Sequence, residues 1–412
     1  MNQPAPIEST QVAEALDEKQ IGGVAANVFA VSVTSFFADL SGEMIYPLIP
    51  IFLTTVLGAP VAVVGLIEGI AESTASVVKA GSGWWSDALG RRMPLVVAGY
   101  GVAVAAKLLL AIAIGWPIVL LARFVDRFGK GMRGSPRDAL IADSTPLAQR
   151  GRAFGFHRSM DTAGAVIGPL LGLLLVALLR NRFRLVFAIA VVPGLLSVLA
   201  LSLVREPRSV VRKARGSAAS FAFRGLDRRL LLFLAASLIF SLGNSSDVFL
   251  ILRAKVAGLS TTAVVMAYVL YNFVYMGAAL PAGIISDRRS RKHIFMIGLL
   301  VFALVYGGFA VVHQGRYIWG LFAVYGLYIA LTDGIGKALI TDLAPKGQRA
   351  TALGMYGMLT GFAALIASVA AGLLWDHVST AAPFLLGAGA AILGAGILVL
   401  LPQPRTALPE GD

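Results

Sequence analysis

Apolar stretches of about 20 residues, the length a helix needs to cross a bilayer, recur along the chain and alternate with short polar segments. Twelve are read, at 25–56, 61–86, 94–115, 117–142, 152–179, 185–204, 230–252, 262–285, 293–313, 317–341, 352–375 and 381–401; they are numbered spans 1 to 12 below. Each is predicted to be helical, because hydrocarbon offers no partner to an unpaired backbone N–H or C=O. Pro47, Pro50, Pro169, Pro193 and Pro281 lie inside these stretches, a placement that membrane helices tolerate better than soluble ones do.

The pattern is written twice. ALIADSTPLAQR at 139–150 returns 199 residues later as ALITDLAPKGQR at 338–349, with seven of twelve positions identical. GSGWWSDALGRR at 81–92 is echoed by PAGIISDRRSRK at 281–292, and Phe36, Ser41 and Glu43 match Phe240, Ser245 and Asp247 at a spacing of 204. The chain is therefore expected to be two homologous six-helix bundles of the same orientation, since six crossings return it to its starting side. The expected parts are an N-terminal tail at 1–20, a first bundle at 21–204, a basic linker at 205–229, a second bundle at 230–402 and a C-terminal tail at 403–412.

Composition agrees with a lipid solvent. Apolar residues make up 57% of the chain and charged ones 14%, and the mean hydropathy is +0.80; no soluble core absorbs that much hydrocarbon. A net charge of +13 raises the question of nucleic acid, but the positive charges gather on one side of the predicted membrane. Arg91, Arg92, Arg150, Arg205, Arg208, Arg212, Lys213, Arg288, Arg289, Lys346 and Arg349 all fall in loops of that side. The asymmetry places both termini in the cytoplasm of a bacterial-type plasma membrane and excludes a nucleic-acid footprint. The chain has no cysteine, so it makes no disulfide or thiolate metal site. Residues 1–20 lack the basic start and short apolar core of a cleaved signal.

Several short patterns resemble the major facilitator superfamily, across essentially the whole chain. They are Gly83, Asp87, Gly90, Arg91 and Arg92 between spans 2 and 3; Arg127 with Gly131 on span 4; Pro47 with Pro50 closing span 1; and Gly164, Gly168, Pro169 and Gly172 on span 5. The resemblance implies an all-α membrane protein of 12 helices, two six-helix bundles related by pseudo-two-fold symmetry, working as a secondary transporter. It implies that Asp87 and Asp287 latch one state of the gate, together with Gly90, Arg91, Arg92, Asp143, Arg150, Asp342 and Arg349. The span 5 stretch, with Asp161 just before it, is associated in that family mainly with antiporters.

Charge inside a bilayer costs several kcal/mol per group and so needs a reason. Asp39 and Glu43, four apart on span 1, and Glu68 and Glu72, four apart on span 2, are the candidate proton-coupling acids. Arg123, Arg127 and Lys130 on span 4 are the candidate cations with which an acid alternately pairs or which clamp an anion. Span 3 adds Lys107, and span 4 also carries Asp126, Arg133, Arg137 and Asp138. His157 titrates near physiological pH and is a conceivable relay partner of Asp161, although a histidine near the interface needs no function. The competing reading of all these acids is that they pair with span 4 and hold the bundle together. The second half is poorer in charge; Asn244, Asp247, Tyr268, Tyr271, Asn272, Tyr275 and Asp333 are its candidate substrate-binding residues.

These features point to alternating access driven by a proton gradient, with a small-molecule substrate, protons and lipid as the partners and a monomer as the working unit. No phosphate-binding loop, metal-ligand cluster or catalytic triad is found among the motifs, so neither ATP, cofactor, metal nor enzyme activity is expected. Proton-coupled antiport exporting an organic solute is the first expectation. The alternative is proton symport taking up an anionic metabolite. The sign of the cavity discriminates them: a net acidic one suits a cation, a net basic one an anion.

Overall fold

The computed structural model describes residues 20–21, 24–89, 91–145, 150–206, 227–343 and 349–401. All twelve predicted spans are helical. Eleven contain helices long and apolar enough to cross a membrane. The exception, span 4, is an unbroken helix from Trp116 to Asp143 whose charges lower its hydropathy. The only strands among the described residues are the two-residue Gln20–Ile21 and Val24–Ala25, paired antiparallel ahead of span 1.

Three spans are interrupted. Span 1 runs as a helix from Ala26 to Glu43 and continues through short helical turns over Tyr46–Leu48, Ile49–Ile51 and Phe52–Val56. Pro47 and Pro50 each sit at the start of one of these turns, where a missing N–H costs no bond. Span 6 is split into Phe183–Ile189 and Val191–Ala200, because Pro193 has no N–H to offer the Ile189 carbonyl. Span 7 is split into Arg228–Gly243 and Val248–Val256 around Asn244–Asp247.

Of the described residues, those up to 59 and from 70 to 206 cluster into one compact unit, and those from 60 to 69 and from 227 to 401 into another. In the first unit span 1 packs along spans 5 and 6, and span 3 along span 4. The span 1–span 5 contact is backbone on backbone. A Cβ at Gly164 would meet Phe36 O at 2.8 Å, one at Gly168 Leu40 O at 2.9 Å and one at Gly172 Met44 O at 2.1 Å, so a small-residue stripe is what lets these helices approach. The apolar core near the start of span 1 gathers Val28, Val31, Val96, Tyr100, Leu140, Ile141 and Leu201.

The second unit is built on aromatic rings. Phe302, Tyr306, Phe309, Tyr325, Tyr328 and Phe384 from spans 9, 10 and 12 stack or meet edge to face. Residues 60–69, the start of span 2, belong to this unit; a Cβ at Gly65 would meet Ser368 O on span 11, and Asp376 accepts from the backbone N–H of Val61 and Ala62. Outward-facing Leu174, Leu304 and Leu393 stay more than half exposed, a surface suited to lipid.

Candidate functional site

Span 4 is the most charged helix in the first unit, and its charged side points into a cavity that spans 1, 3 and 6 complete. The cavity holds about 470 Å³ of space free of protein atoms, part of it continuous with solvent. Lys107, Arg123, Arg127, Lys130 and Arg133 line it together with Asp39, Glu43 and Asp126. Five cations thus face three carboxylates. A smaller chamber of about 290 Å³ shares Gly42, Lys107, Arg123 and Asp126 and is otherwise walled by Ile45, Ile49, Ala106, Leu110 and Ala122.

The charges are held in an ordered way. Lys107 Nζ lies 3.6 Å from Asp126 Oδ1, and Arg123 Nη1 is 3.9 Å from Asp126 Oδ2. Arg127 Nη2 meets Glu72 Oε1 at 3.4 Å. The Arg123 and Arg127 guanidinium carbons lie 5.4 and 5.9 Å from the centre of the Tyr46 ring, and that of Arg133 is 4.4 Å from the Tyr100 ring; such stacking orients a guanidinium without spending its donors. Arg133 is buried, and its Nη1 makes no hydrogen bond among the described residues. Asp39 makes no hydrogen bond or ion pair there and shares the cavity wall with Lys130 and Arg133. The glycine stripe of span 5 is seated against these acids, since a Cβ at Gly164 would be 3.1 Å from Asp39 Cβ and one at Gly168 3.0 Å from Glu43 Cβ. Pro169 lies within the same unbroken helix.

Glu68, one turn before Glu72 on the unbroken helix Val61–Leu89, is buried and falls among residues 60–69, which group with the second unit. In that unit Asp247 stands at the N-terminal boundary of the second half of the broken span 7, and its carboxylate accepts from Tyr271 at 2.9 Å and Tyr325 at 2.6 Å. Asn244 donates to Tyr328 at 3.3 Å. Tyr268 is packed edge-on against Tyr271, and the Asn272 amide is bonded to the Tyr268 carbonyl of its own helix. Asp333 stands apart with Tyr275 and Lys337, at 3.3 and 2.7 Å.

Of the expected gate residues, Arg92 donates to Asp143 at 2.7 Å and to Ser86 at 3.3 Å, and its backbone N–H to Glu206. Arg291 donates to both oxygens of Asp342, at 3.0 and 2.8 Å. The same ion pair thus occurs in each half, 199 residues apart. Arg91 is exposed. Gly90 and the side chains of Asp87, Arg150, Asp287 and Arg349 lie outside the described residues.

Sequence reasoning did not single out Arg291, Tyr46, Tyr100, Tyr325 or Tyr328. The spacing of 199 that pairs Asp143 with Asp342 also pairs Arg92 with Arg291, so that one was readable; the tyrosines look like ordinary apolar-span residues until the charges beside them are placed.

The family model described as Major Facilitator Superfamily matches residues 31–272 and 254–411. An uncharacterized MFS-type transporter of Methanocaldococcus jannaschii is 36% identical over 384 residues, covering 91% of this chain and 94% of its own. The multidrug resistance protein MdtH of Aeromonas hydrophila is 26% identical over 355 residues, covering 84% and 87%. Among solved structures, the peptide transporter POT in complex with sulfate superposes with a TM-score of 0.77 at 16% identity, covering 96% of this chain and 98% of that one. The nucleoside transporter NupG does so with 0.74 at 15%, covering 91% and 98%. At such identities the likeness is one of fold: twelve helices in two six-helix bundles.

Proposed function

Because the chain belongs to the major facilitator superfamily, we propose that this membrane transporter carries a small organic anion together with a proton by alternating access. The observation behind this reading is the excess of cations, five against three carboxylates, in the cavity of the first unit. Arg133 offers an unused donor there, and Lys107, Arg123 and Lys130 supply further charge-assisted hydrogen bonds to a carboxylate or phosphate head. Ile45, Ile49, Ala106, Leu110 and Ala122 of the adjoining chamber give a hydrocarbon portion of the same solute an apolar wall to lie against.

The sign of the coupling follows from the same charges. An anion that enters shares the cations with the resident carboxylates, so its binding favours a proton on Asp39 or Glu43, and by reciprocity that proton favours the anion. Proton and solute then travel together, and a proton gradient directed inward drives uptake. Asp39 is the primary proton acceptor, because Asp126 and Glu72 are already engaged by Lys107, Arg123 and Arg127. The two ion pairs Arg92–Asp143 and Arg291–Asp342 serve as one gate fastening per half. The protein works as a monomer in a bacterial-type cytoplasmic membrane, with both termini on the cytoplasmic side.

A second reading, proton antiport that exports an organic solute, is supported by the seating of Gly164, Gly168 and Gly172 on span 1 beside Asp39 and Glu43 and by the multidrug resistance relatives. A cationic solute would compete with the proton for the same acids, and competition gives exchange.

Purified protein in liposomes with an internal pH-reporting dye separates the two. A panel of monocarboxylates, dicarboxylates, phosphate monoesters and organic amines is added outside. Acidification of the lumen by anions, lost in Asp39→Asn and weakened at least tenfold in Arg133→Gln, is the expected result. Alkalinisation by amines would replace the first reading by the second, and anion entry with no pH change would remove proton coupling altogether.

A further inference from the structure

Beside the cavity, spans 1, 4 and 5 bury a second polar cluster. His157 is 4% exposed and Asp161, one turn further along span 5, is 8% exposed. Ser32 Oγ donates to the Val28 carbonyl at 2.7 Å, which commits its only hydrogen and leaves a lone pair toward His157 Nδ1 at 3.4 Å. That contact assigns the ring hydrogen of a neutral imidazole to Nδ1 and makes Nε2 the acceptor nitrogen. Nε2 lies 3.6 Å from Asp161 Oδ2 and hydrogen-bonds to nothing among the described residues; Asp161 Oδ1 likewise receives no donor. Two buried acceptors therefore face each other, an arrangement that costs free energy unless one more proton joins them.

The neighbours contribute charge but not that proton. Arg137 Nη1 is 3.9 Å from the same Asp161 oxygen. It is held by Ser35 at 3.1 Å and by two contacts to Asp138, and a guanidinium does not give up its hydrogens. The charged groups facing the imidazole are Arg137 and Asp138 from span 4, Asp39 from span 1 and Arg158 from its own helix. Asp39 is adjacent: Gly164, three residues after Asp161 on span 5, packs on it.

We propose that His157 and Asp161 form a proton-binding station distinct from the anion cavity, taking a proton from Asp39 and passing it toward the end of the bundle where spans 1 and 5 begin. In the forward step the O–H bond of the Asp39 carboxyl breaks, its electron pair stays on the carboxylate, and the proton is bound between Nε2 and Asp161 Oδ2. The release step reverses this onto water. The assignment rests on the proton-coupled reading above, and it gives the burial of an imidazole against a carboxylate a role that packing alone does not need.

The test reads the station without any transported solute. Replacing His293, His313 and His377 by Gln leaves His157 as the sole imidazole, and 15N-histidine labelling then follows its two nitrogens in detergent between pH 5 and pH 9. The expected result is the Nδ1–H tautomer at high pH and uptake of one proton at Nε2 as the pH falls. Asp161→Asn should lower the proton affinity of that site at least tenfold. An imidazole that stays neutral across the range, carries its hydrogen on Nε2, or titrates unchanged without Asp161 overturns the station. The wild-type tautomer and titration decide the matter even if Asp161→Asn does not fold. Loss of proton coupling in the liposome assay with an intact titration would instead point to failure of the transport reading.

Discussion

At the scale of single residues, the bundle depends on what is absent as much as on what is present. Gly172 stands where a Cβ would lie 2.1 Å from the Met44 carbonyl oxygen, a distance no backbone tolerates, whereas Gly101 on span 3 has nothing within 4 Å. Gly172→Ala must push spans 1 and 5 apart and is expected to cost about 1–3 kcal/mol, as overpacking does. Gly101→Ala should be neutral or slightly stabilising through helix propensity, by up to about 1 kcal/mol. Thermal unfolding of the two variants in the same detergent checks this, and equal midpoints would mean that the close approach carries no energy. The difference was legible in part. The spacing of Gly164, Gly168 and Gly172 marks a face for close packing, but their partners, Phe36, Leu40 and Met44, are ordinary apolar residues to any reading of the sequence. Asp39 and Glu43 were legible for a firmer reason, because carboxylates four apart in an apolar span have to face the protein interior.

At the scale of elements, the hydrophobic pattern located all twelve helices, and it failed where polarity and backbone geometry are decoupled. Span 4 keeps a full helix despite its charges, because those charges have a cavity to face. The break in span 7 falls on the polar run Gly243–Asp247, a dip too short for a reading at span length to separate two helices. Arg253 is a further case. It follows span 7 as read from the sequence, 230–252, a position from which a long cation commonly reaches the interface. It is instead 2% exposed, and it donates to the carbonyls of Phe309, Ala310 and Val312 and to Thr380. It thereby supplies donors to the last carbonyls of the span 9 helix, which have no partner within it. Arg253→Met keeps the bulk but leaves three carbonyls without that donor. A loss of about 3 kcal/mol is expected, read as a fall of roughly 5 °C or more in the thermal midpoint. A change of less than about 1 °C would show that water replaces the guanidinium without penalty.

At the scale of the whole molecule, the duplication written in the sequence is unequal in charge and equal in one fastening. The first unit holds the cation-rich cavity, while the second sets Asp247 among tyrosines. The two copies differ in chemistry yet share Arg92–Asp143 and Arg291–Asp342 at the same spacing. The first pair is the less exposed, with side chains 17% and 28% accessible against 27% and 47% for the second, and Arg92 also donates to Ser86. Exposed pairs contribute about 0–1 kcal/mol each, so the second should lie within that range and the first above it. Charge reversal isolates the pairing from the packing. Arg92→Asp and Asp143→Arg should each destabilise the protein, and the double variant should recover most of the loss, because opposite charges again meet across spans 3 and 4. The corresponding cycle with Arg291→Asp and Asp342→Arg should recover as well, from a smaller initial loss. Thermal midpoints of all six variants give both coupling energies. If either double variant is worse than its singles, that contact is a coincidence of packing, and the repeated sentence at 139–150 and 338–349 would have to be explained by something other than a shared ion pair.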